Sequence, residues 1–118
     1  MKPVLQVALD LMHLKRALEI ARESLEGGAD WIEAGTPLIK SEGAECLRSL
    51  KREFPGRTLV ADMKTMDVGA FEVEIAAKAG ADVITVLGLS DEGTISESVL
   101  AARKYGAAIM LDMINVPD

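Results

Sequence analysis

Aromatic residues are scarce: two Phe, one Trp and one Tyr make up 3% of the 118 residues. So thin a supply argues against a base-stacking platform for single-stranded nucleic acid. Positive charge is also short. Lys and Arg number 13 against 19 Asp and Glu, a net charge of −6, which disfavours nonspecific attachment to nucleic acid or to an anionic membrane. Cysteine occurs once, as Cys46. An internal disulfide is therefore excluded, and a reducing, cytoplasmic setting is expected. Histidine also occurs once, and His13 has no companion at ligand spacing, so it reads as a solvated or packed side chain. No apolar run approaches the ~20 residues of a membrane span. The N-terminal MKPVLQVALD has no long apolar stretch. Neither a Walker pattern nor GxGxxG is present, which leaves Gly88 as a lone turn glycine rather than part of a phosphate loop.

What the chain does have is a soluble, globular balance of 49% apolar and 27% charged residues. Its length fits a single domain, residues 1–118, able to bury roughly two-thirds of its unfolded surface. Short β-rich runs alternate with stretches of helical period. The expected strands are Val4–Leu9, Trp31–Ala34, Thr58–Met63, Val83–Leu87 and Ala108–Met113. They are nearly continuous in apolar residues, as when both faces are covered. Helices are expected over Met12–Glu26, Pro37–Glu53, Val68–Lys78 and Asp91–Lys104. In the first, Leu14, Leu18, Ala21 and Leu25 share a face. Gly27–Gly28, Gly80 and Gly106 stand as helix stops. A weak repeat marks the junctions: Gly28-Ala29-Asp30-Trp31-Ile32, Gly80-Ala81-Asp82-Val83-Ile84 and, more loosely, Gly106-Ala107-Ala108-Ile109-Met110. Cys46, Trp31, Met63, Met66, Met110 and Met113 read as packing residues.

Two architectures fit this βα alternation. One is the first half of a (β/α)₈ barrel, whose complete form needs at least ~200 residues. The other is a five-stranded flavodoxin-like sheet, normally closed by a fifth helix. The chain reaches Asp118 just past the fifth strand, so a fragment is expected on either reading.

Both architectures place their chemistry at the carboxyl ends of parallel strands. Charge gathers there. Asp10 follows strand 1, Glu33 ends strand 2, Asp62 and Lys64 end strand 3 with Asp67 just beyond, and Asp112 ends strand 5. Only strand 4 has none. Strand alternation lets Asp62 and Lys64 project to one side. A lysine among carboxylates stays cationic and can hold a developing enolate or deliver a proton to a carbanion. Glu33 and Asp62 on adjacent strands could offer hard oxygen ligands to Mg²⁺. Simpler readings stand beside these. Asp10 and Asp67 each precede a helix and could cap it, and Lys64 could be a salt-bridge partner only.

These residues carry a resemblance. Residues 61–67, ADMKTMD, contain the DxKxxD pattern of the orotidine 5′-phosphate decarboxylase suprafamily. LQVALD, DWIEAGTPLIKSEG, VADMKTMDVG and LDMINV resemble its 3-hexulose-6-phosphate synthase branch along essentially the whole chain. The resemblance implies a (β/α)₈ TIM barrel, here about its first four and a half βα units, that works as a dimer. It implies a metal-dependent carbon–carbon lyase that joins formaldehyde to D-ribulose 5-phosphate through a Mg²⁺-stabilised enediolate. Glu33 and Asp62 would reach the Mg²⁺, which would bind the C2 and C3 oxygens of the ketose. Asp10 and Lys64 would line the reacting end, and Asp67 would reach into the neighbouring subunit's site. The metal-free decarboxylases of the suprafamily carry lysine where this chain has Glu33. The related 3-keto-L-gulonate-6-phosphate decarboxylases typically carry Glu where this chain has Asp112, which leans toward the synthase.

Strands 6 to 8 of the family pattern are not in this chain. They would bring a catalytic His and Arg and the phosphate-binding backbone, so the chain alone is expected to be weakly active or inactive. Open edges at strands 1 and 5 are a further reason to expect a homo-oligomer. A rival from another class is a phosphoacceptor receiver domain on the flavodoxin-like sheet. It needs an acidic pair after strand 1, where only Asp10 stands, and a lysine after strand 5, where Asp112 to Asp118 has none.

Overall fold

A computed structural model describes all of residues 1–118. In chain order the elements are β1 (Gln6–Leu9), α1 (Leu14–Glu26), β2 (Trp31–Ala34), α2 (Thr36–Glu42), α3 (Glu45–Glu53), β3 (Thr58–Thr65), α4 (Gly69–Lys78), β4 (Val83–Leu87), α5 (Glu92–Tyr105) and β5 (Ala108–Asp112). The single helix expected over Pro37–Glu53 is two. Gly43 adopts φ 68°, which ends α2, and α3 restarts at Glu45. Pro37 sits in the first turn of α2, where its missing N–H costs little. Strand β3 runs two residues further than expected, to Thr65, and β1 starts only at Gln6. The helix α5 carries both ordinary end signals: Asp91 accepts from the Thr94 N–H at 2.7 Å, and Gly106 closes it at φ 73°.

All strand pairs are parallel, and the sheet order is β1-β2-β3-β4-β5. Each right-handed crossover steps one place in the same direction, so every helix lands on one side of the sheet. That is half of a TIM-barrel-type fold. A flavodoxin-like sheet reverses direction after its first crossover to put helices on both sides. The order seen here overturns that alternative and removes the scaffold a receiver domain would need.

A single core cluster lies between the sheet and its helices. From the strands it takes Leu9, Ile32, Ala34, Leu59, Ala61 and Ile84, and from the helices Ala17, Ala21, Leu38, Cys46, Leu47, Leu50, Val73, Ala76 and Ala102. Burying such side chains contributes about 25 cal/mol per Å² of apolar surface. With a side-chain period of two, the alternate positions face away from the helices: Ala8 and Asp10, Glu33, Val60 and Asp62, Thr85, Met110 and Asp112. Of the expected methionine fillers only Met63 packs against the core, while Met66 and Met113 are exposed. Both lie past the strand ends, where no helix covers them.

Candidate active site

Strand β3 does not simply alternate at its end. Ala61 pairs with Ile84 and Thr65 with Val86, so Asp62, Met63 and Lys64 on β3 stand against Thr85 alone on β4. This is a bulge, the device that re-aims side chains near active sites. Lys64 takes φ 47° within it, a left-handed conformation that costs a non-glycine residue about 1–2 kcal/mol. The turn brings its ammonium back over the end of the sheet. Lys64 Nζ lies 2.6 Å from Asp112 Oδ2 and 3.2 Å from Asp62 Oδ2. Alternation alone leads to the same partnership, but the geometry that delivers it is the bulge.

Two further hydrogen bonds hold the carboxylates, and a third ties the bulge to Thr85. Thr85 Oγ1 donates to Asp62 Oδ1 at 2.7 Å, and the Lys64 backbone N–H donates to Thr85 Oγ1 at 3.0 Å. The Ile114 N–H donates to Asp112 Oδ1 at 3.0 Å. Thr36, in the first turn of α2, donates to the Asp62 carbonyl at 2.7 Å and ties that helix to the bulge. Asp62 and Asp112 side chains are 13% and 18% exposed and Lys64 37%, so water reaches the ammonium while the carboxylates are largely shielded. The hydrogen bond to Asp112, assisted by Asp62, raises the Lys64 ammonium above its ordinary range. The same hydrogen bond, with the Ile114 amide, holds Asp112 below the usual carboxylate range.

Glu33 faces the same cavity. Glu33, Asp62, Lys64, Thr85, Met110, Leu111, Asp112 and Met113 line a space of 410 Å³. Gln6 Nε2 donates to Glu33 Oε1 at 2.7 Å. Burial raises the Glu33 carboxyl above its usual value, and Asp62 and Asp10 push it the same way. Asp10 therefore stands within electrostatic reach of Glu33. It also lies against Gly35, where a Cβ would collide with its carboxylate and sit 2.8 Å from the Leu9 carbonyl oxygen. Glycine is required there because two strand ends meet. Asp10 caps no helix, since α1 is entered through His13 without a side-chain cap.

Asp67 is placed apart. It is exposed, and its Oδ1 accepts from the N–H of Val68, which enters α4 at φ 49°. Neither an ion pair nor a hydrogen bond links it to Lys64, Asp62 or Asp112. The structure thus joins Asp62, Lys64 and Asp112 directly, sets Glu33 in the same cavity with Asp10 beside it, and leaves Asp67 outside. Thr85 is the member that reading the sequence passes over, because a threonine within VITVL looks like one more β-branched strand residue. Its signal was position: it is the only polar side chain on β4, level with the charges of β3.

Glu33 and Asp62 are the residues that could offer oxygen ligands to a small divalent cation. Both are hard oxygen donors on one cavity wall, and Glu33 stands among carboxylates with no cation bonded to it, so a positive ion would relieve a repulsion already present. A set of three or more clustered metal-binding side chains is absent. Mg²⁺ is commonly held by one or two carboxylates with substrate oxygens and water completing its shell.

Residues 3–118 match the profile of the orotidine 5′-phosphate decarboxylase / HUMPS family. Over 114 residues the chain is 46% identical to a 3-hexulose-6-phosphate synthase of Mycobacterium gastri, an alignment covering 97% of this chain and 55% of the relative. Against the enzyme of the same name from Bacillus subtilis (strain 168) it is 44% identical, covering 97% and 54%. A crystal structure of 3-hexulose-6-phosphate synthase superposes with a TM-score of 0.95 at 46% identity, over 98% of this chain and 56% of that one. The 3-keto-L-gulonate-6-phosphate decarboxylase of Vibrio cholerae O1 biovar El Tor str. N16961 gives 0.89 at 36%, over 94% and 51%. The chain spans about half the length of the curated relatives it matches.

Proposed function

The chain belongs to the orotidine 5′-phosphate decarboxylase / HUMPS family, and from that membership we propose that it supplies the strand-end chemistry of a 3-hexulose-6-phosphate synthase. The reaction is a reversible aldol joining of formaldehyde to C1 of D-ribulose 5-phosphate. One observation carries the reading: Lys64 Nζ stands between Asp62 and Asp112, at 3.2 and 2.6 Å, in a cavity shared with Glu33. Support for the synthase over the gulonate-6-phosphate decarboxylase comes from its higher identity and closer superposition.

Glu33 and Asp62 would hold Mg²⁺, whose contribution is Lewis-acid polarisation of the substrate's oxygens. The remaining roles belong to the side chains. Loss of the C1 proton to a base at the mouth of the site leaves negative charge on the neighbouring oxygen. Lys64, kept cationic by two carboxylates, trades one of them for that oxygen and stabilises the charge as it develops. A lysine raised above its ordinary 10.5 serves as a fixed donor and is poorly suited to be a base near neutrality. C1 then attacks the formaldehyde carbon, and the former carbonyl oxygen takes a proton to become the new hydroxyl. Asp10, beside Glu33, lines the reacting end.

Asp67 is assigned to the site of a second subunit. Its exposure, its absence from the ion-pair cluster, and the exposed apolar Val68, Phe71 and Ile75 on the adjoining surface of α4 support a dimer. Phosphate-gripping groups are expected in the part of the barrel the relatives have beyond this length.

The test is condensation of formaldehyde with D-ribulose 5-phosphate by the protein at the length of its relatives. Lys64→Ala should abolish turnover with the fold intact by circular dichroism. Unchanged turnover in Lys64→Ala rejects the role. Release of CO₂ from 3-keto-L-gulonate 6-phosphate faster than hexulose 6-phosphate synthesis would favour the decarboxylase instead.

A further inference from the structure

The bulge on β3 has one residue opposite it, and that residue's hydroxyl is bonded to both of its ends. Thr85 faces Asp62, Met63 and Lys64. A backbone N–H can only donate, so toward the Lys64 amide, at 3.0 Å, the Thr85 oxygen accepts. Its single proton is then committed to Asp62 Oδ1 at 2.7 Å. The direction of both bonds is fixed by chemistry. The other oxygen of Asp62 is left for Lys64 Nζ, at 3.2 Å. Thr85 is 4% exposed, and the rest of β4 is Val83, Ile84, Val86 and Leu87. Nothing in the packing of that strand asks for a hydroxyl, since valine has nearly the same shape and suits a strand as well.

We propose that Thr85 is a positioning residue for the lysine–carboxylate pair. By accepting from the Lys64 amide it holds the backbone in its left-handed turn. By donating to Asp62 it fixes the carboxylate rotamer that meets the ammonium. The pair is thereby assembled before substrate arrives, which spares the reaction that reorganisation. The inference rests on the reading in which Asp62 and Lys64 carry the chemistry, and it adds a residue from the one strand without a charge.

Three variants test it in the protein at the length of its relatives. Thr85→Val keeps the shape and removes the hydroxyl. Thr85→Ser keeps the hydroxyl and removes the methyl, and Thr85→Ala removes both. The expected result is a fall in kcat of about 10–100-fold for Val and Ala, the usual loss when an outer partner of a site is removed, with KM for the sugar phosphate little changed. Ser should stay near the parent. A packing role predicts the reverse, with Val near the parent and Ser as impaired as Ala. If Val fails to fold, the Ser–Ala comparison still decides.

A second readout does not depend on turnover. Hydrogen exchange at the Lys64 amide in the metal-free protein should speed up in Val and Ala and remain slow in Ser. Parent-like kcat in Val, Ser equal to Ala, or unchanged exchange at Lys64 would each overturn the proposal. If the parent itself does not condense the two substrates, the functional reading fails, and the exchange comparison alone judges Thr85.

Discussion

The upward shift of the Glu33 carboxyl has a consequence for stability. For Glu33 the main cause is burial, followed among the charges by Asp62 and Asp10. Its folded value lies above the ordinary 4.5, so the protonated form favours the fold. That stabilisation is complete below 4.5 and is lost as pH rises through the raised value. Above that raised value the metal-free protein carries a carboxylate it would be more stable without. Glu33→Gln keeps the oxygen that accepts from Gln6 and removes the charge. Thermal unfolding of the metal-free protein should show a higher Tm for Glu33→Gln at neutral pH, the gain closing as the buffer is taken below 4.5. A lower Tm at neutral pH contradicts this. At this scale the sequence showed which charges stand at strand ends. It could not show that Lys64 turns left-handed, because alternation along β3 assumes a ladder that the bulge interrupts. Nor could it show the role of Thr85, whose two partners lie 21 and 23 residues away.

At the scale of elements, the Gly-Ala-Asp repeat has a mechanical meaning. Gly28 and Gly80 share φ 110°, and Ala29 and Ala81 donate back to Ser24 and Ala76 to close α1 and α4. Each aspartate then reaches the strand next door. Asp30 Oδ2 accepts from the Leu5 N–H at 2.9 Å, and Asp82 Oδ2 from the Leu59 N–H at 2.8 Å. Asp82 adds Lys51 Nζ at 2.8 Å, whose ammonium also donates to the Arg57 carbonyl at 2.9 Å. In the looser copy, Gly106-Ala107-Ala108, the Ala107 N–H likewise donates back, to Ala102, but Gly106 stands at φ 73° and there is no carboxylate. Repetition was legible; the amides it serves were not, since they belong to strands more than twenty residues earlier. Asp82→Ala leaves a strand amide and a half-buried ammonium without their partner. It should cost about 1–3 kcal/mol in urea unfolding, and Asp30→Ala, with one bond to lose, should cost less. An Asp30→Ala loss equal to or above that of Asp82→Ala would contradict the assignment. The break at Gly43 was hidden for another reason, because the apolar period of α3 resumes close enough to α2 to read as one helix.

For the whole molecule, the spacing of strands gave βα units but not their order. Alternation along the chain is the same for a barrel and for a flavodoxin-like sheet. What separates them is the side on which each crossover lands, and here every helix packs on one face. The opposite face carries the charges, which is why strand ends distant in sequence meet in one cavity, where the helices contribute only the Thr36 bond to the Asp62 carbonyl. Asp67 is the charge that this single chain leaves out. If it serves a neighbour, Lys64→Ala and Asp67→Ala proteins, each inactive alone, should recover turnover when their subunits are mixed by unfolding and refolding together. Each mixed dimer then contains one site with both residues intact. No recovery, with mixed dimers demonstrated by mass, would place Asp67 in its own chain's site or in none.

Glu33, Asp62 and Lys64 are proposed to act on one substrate in one cavity. Exchange of the C1 proton of D-ribulose 5-phosphate in D₂O, without formaldehyde, by the protein at the length of its relatives, tests it most directly. Mg²⁺-dependent exchange is expected, and it should disappear in both Glu33→Gln and Lys64→Ala. Exchange no faster than in protein-free buffer, or exchange that persists in both variants, would contradict it.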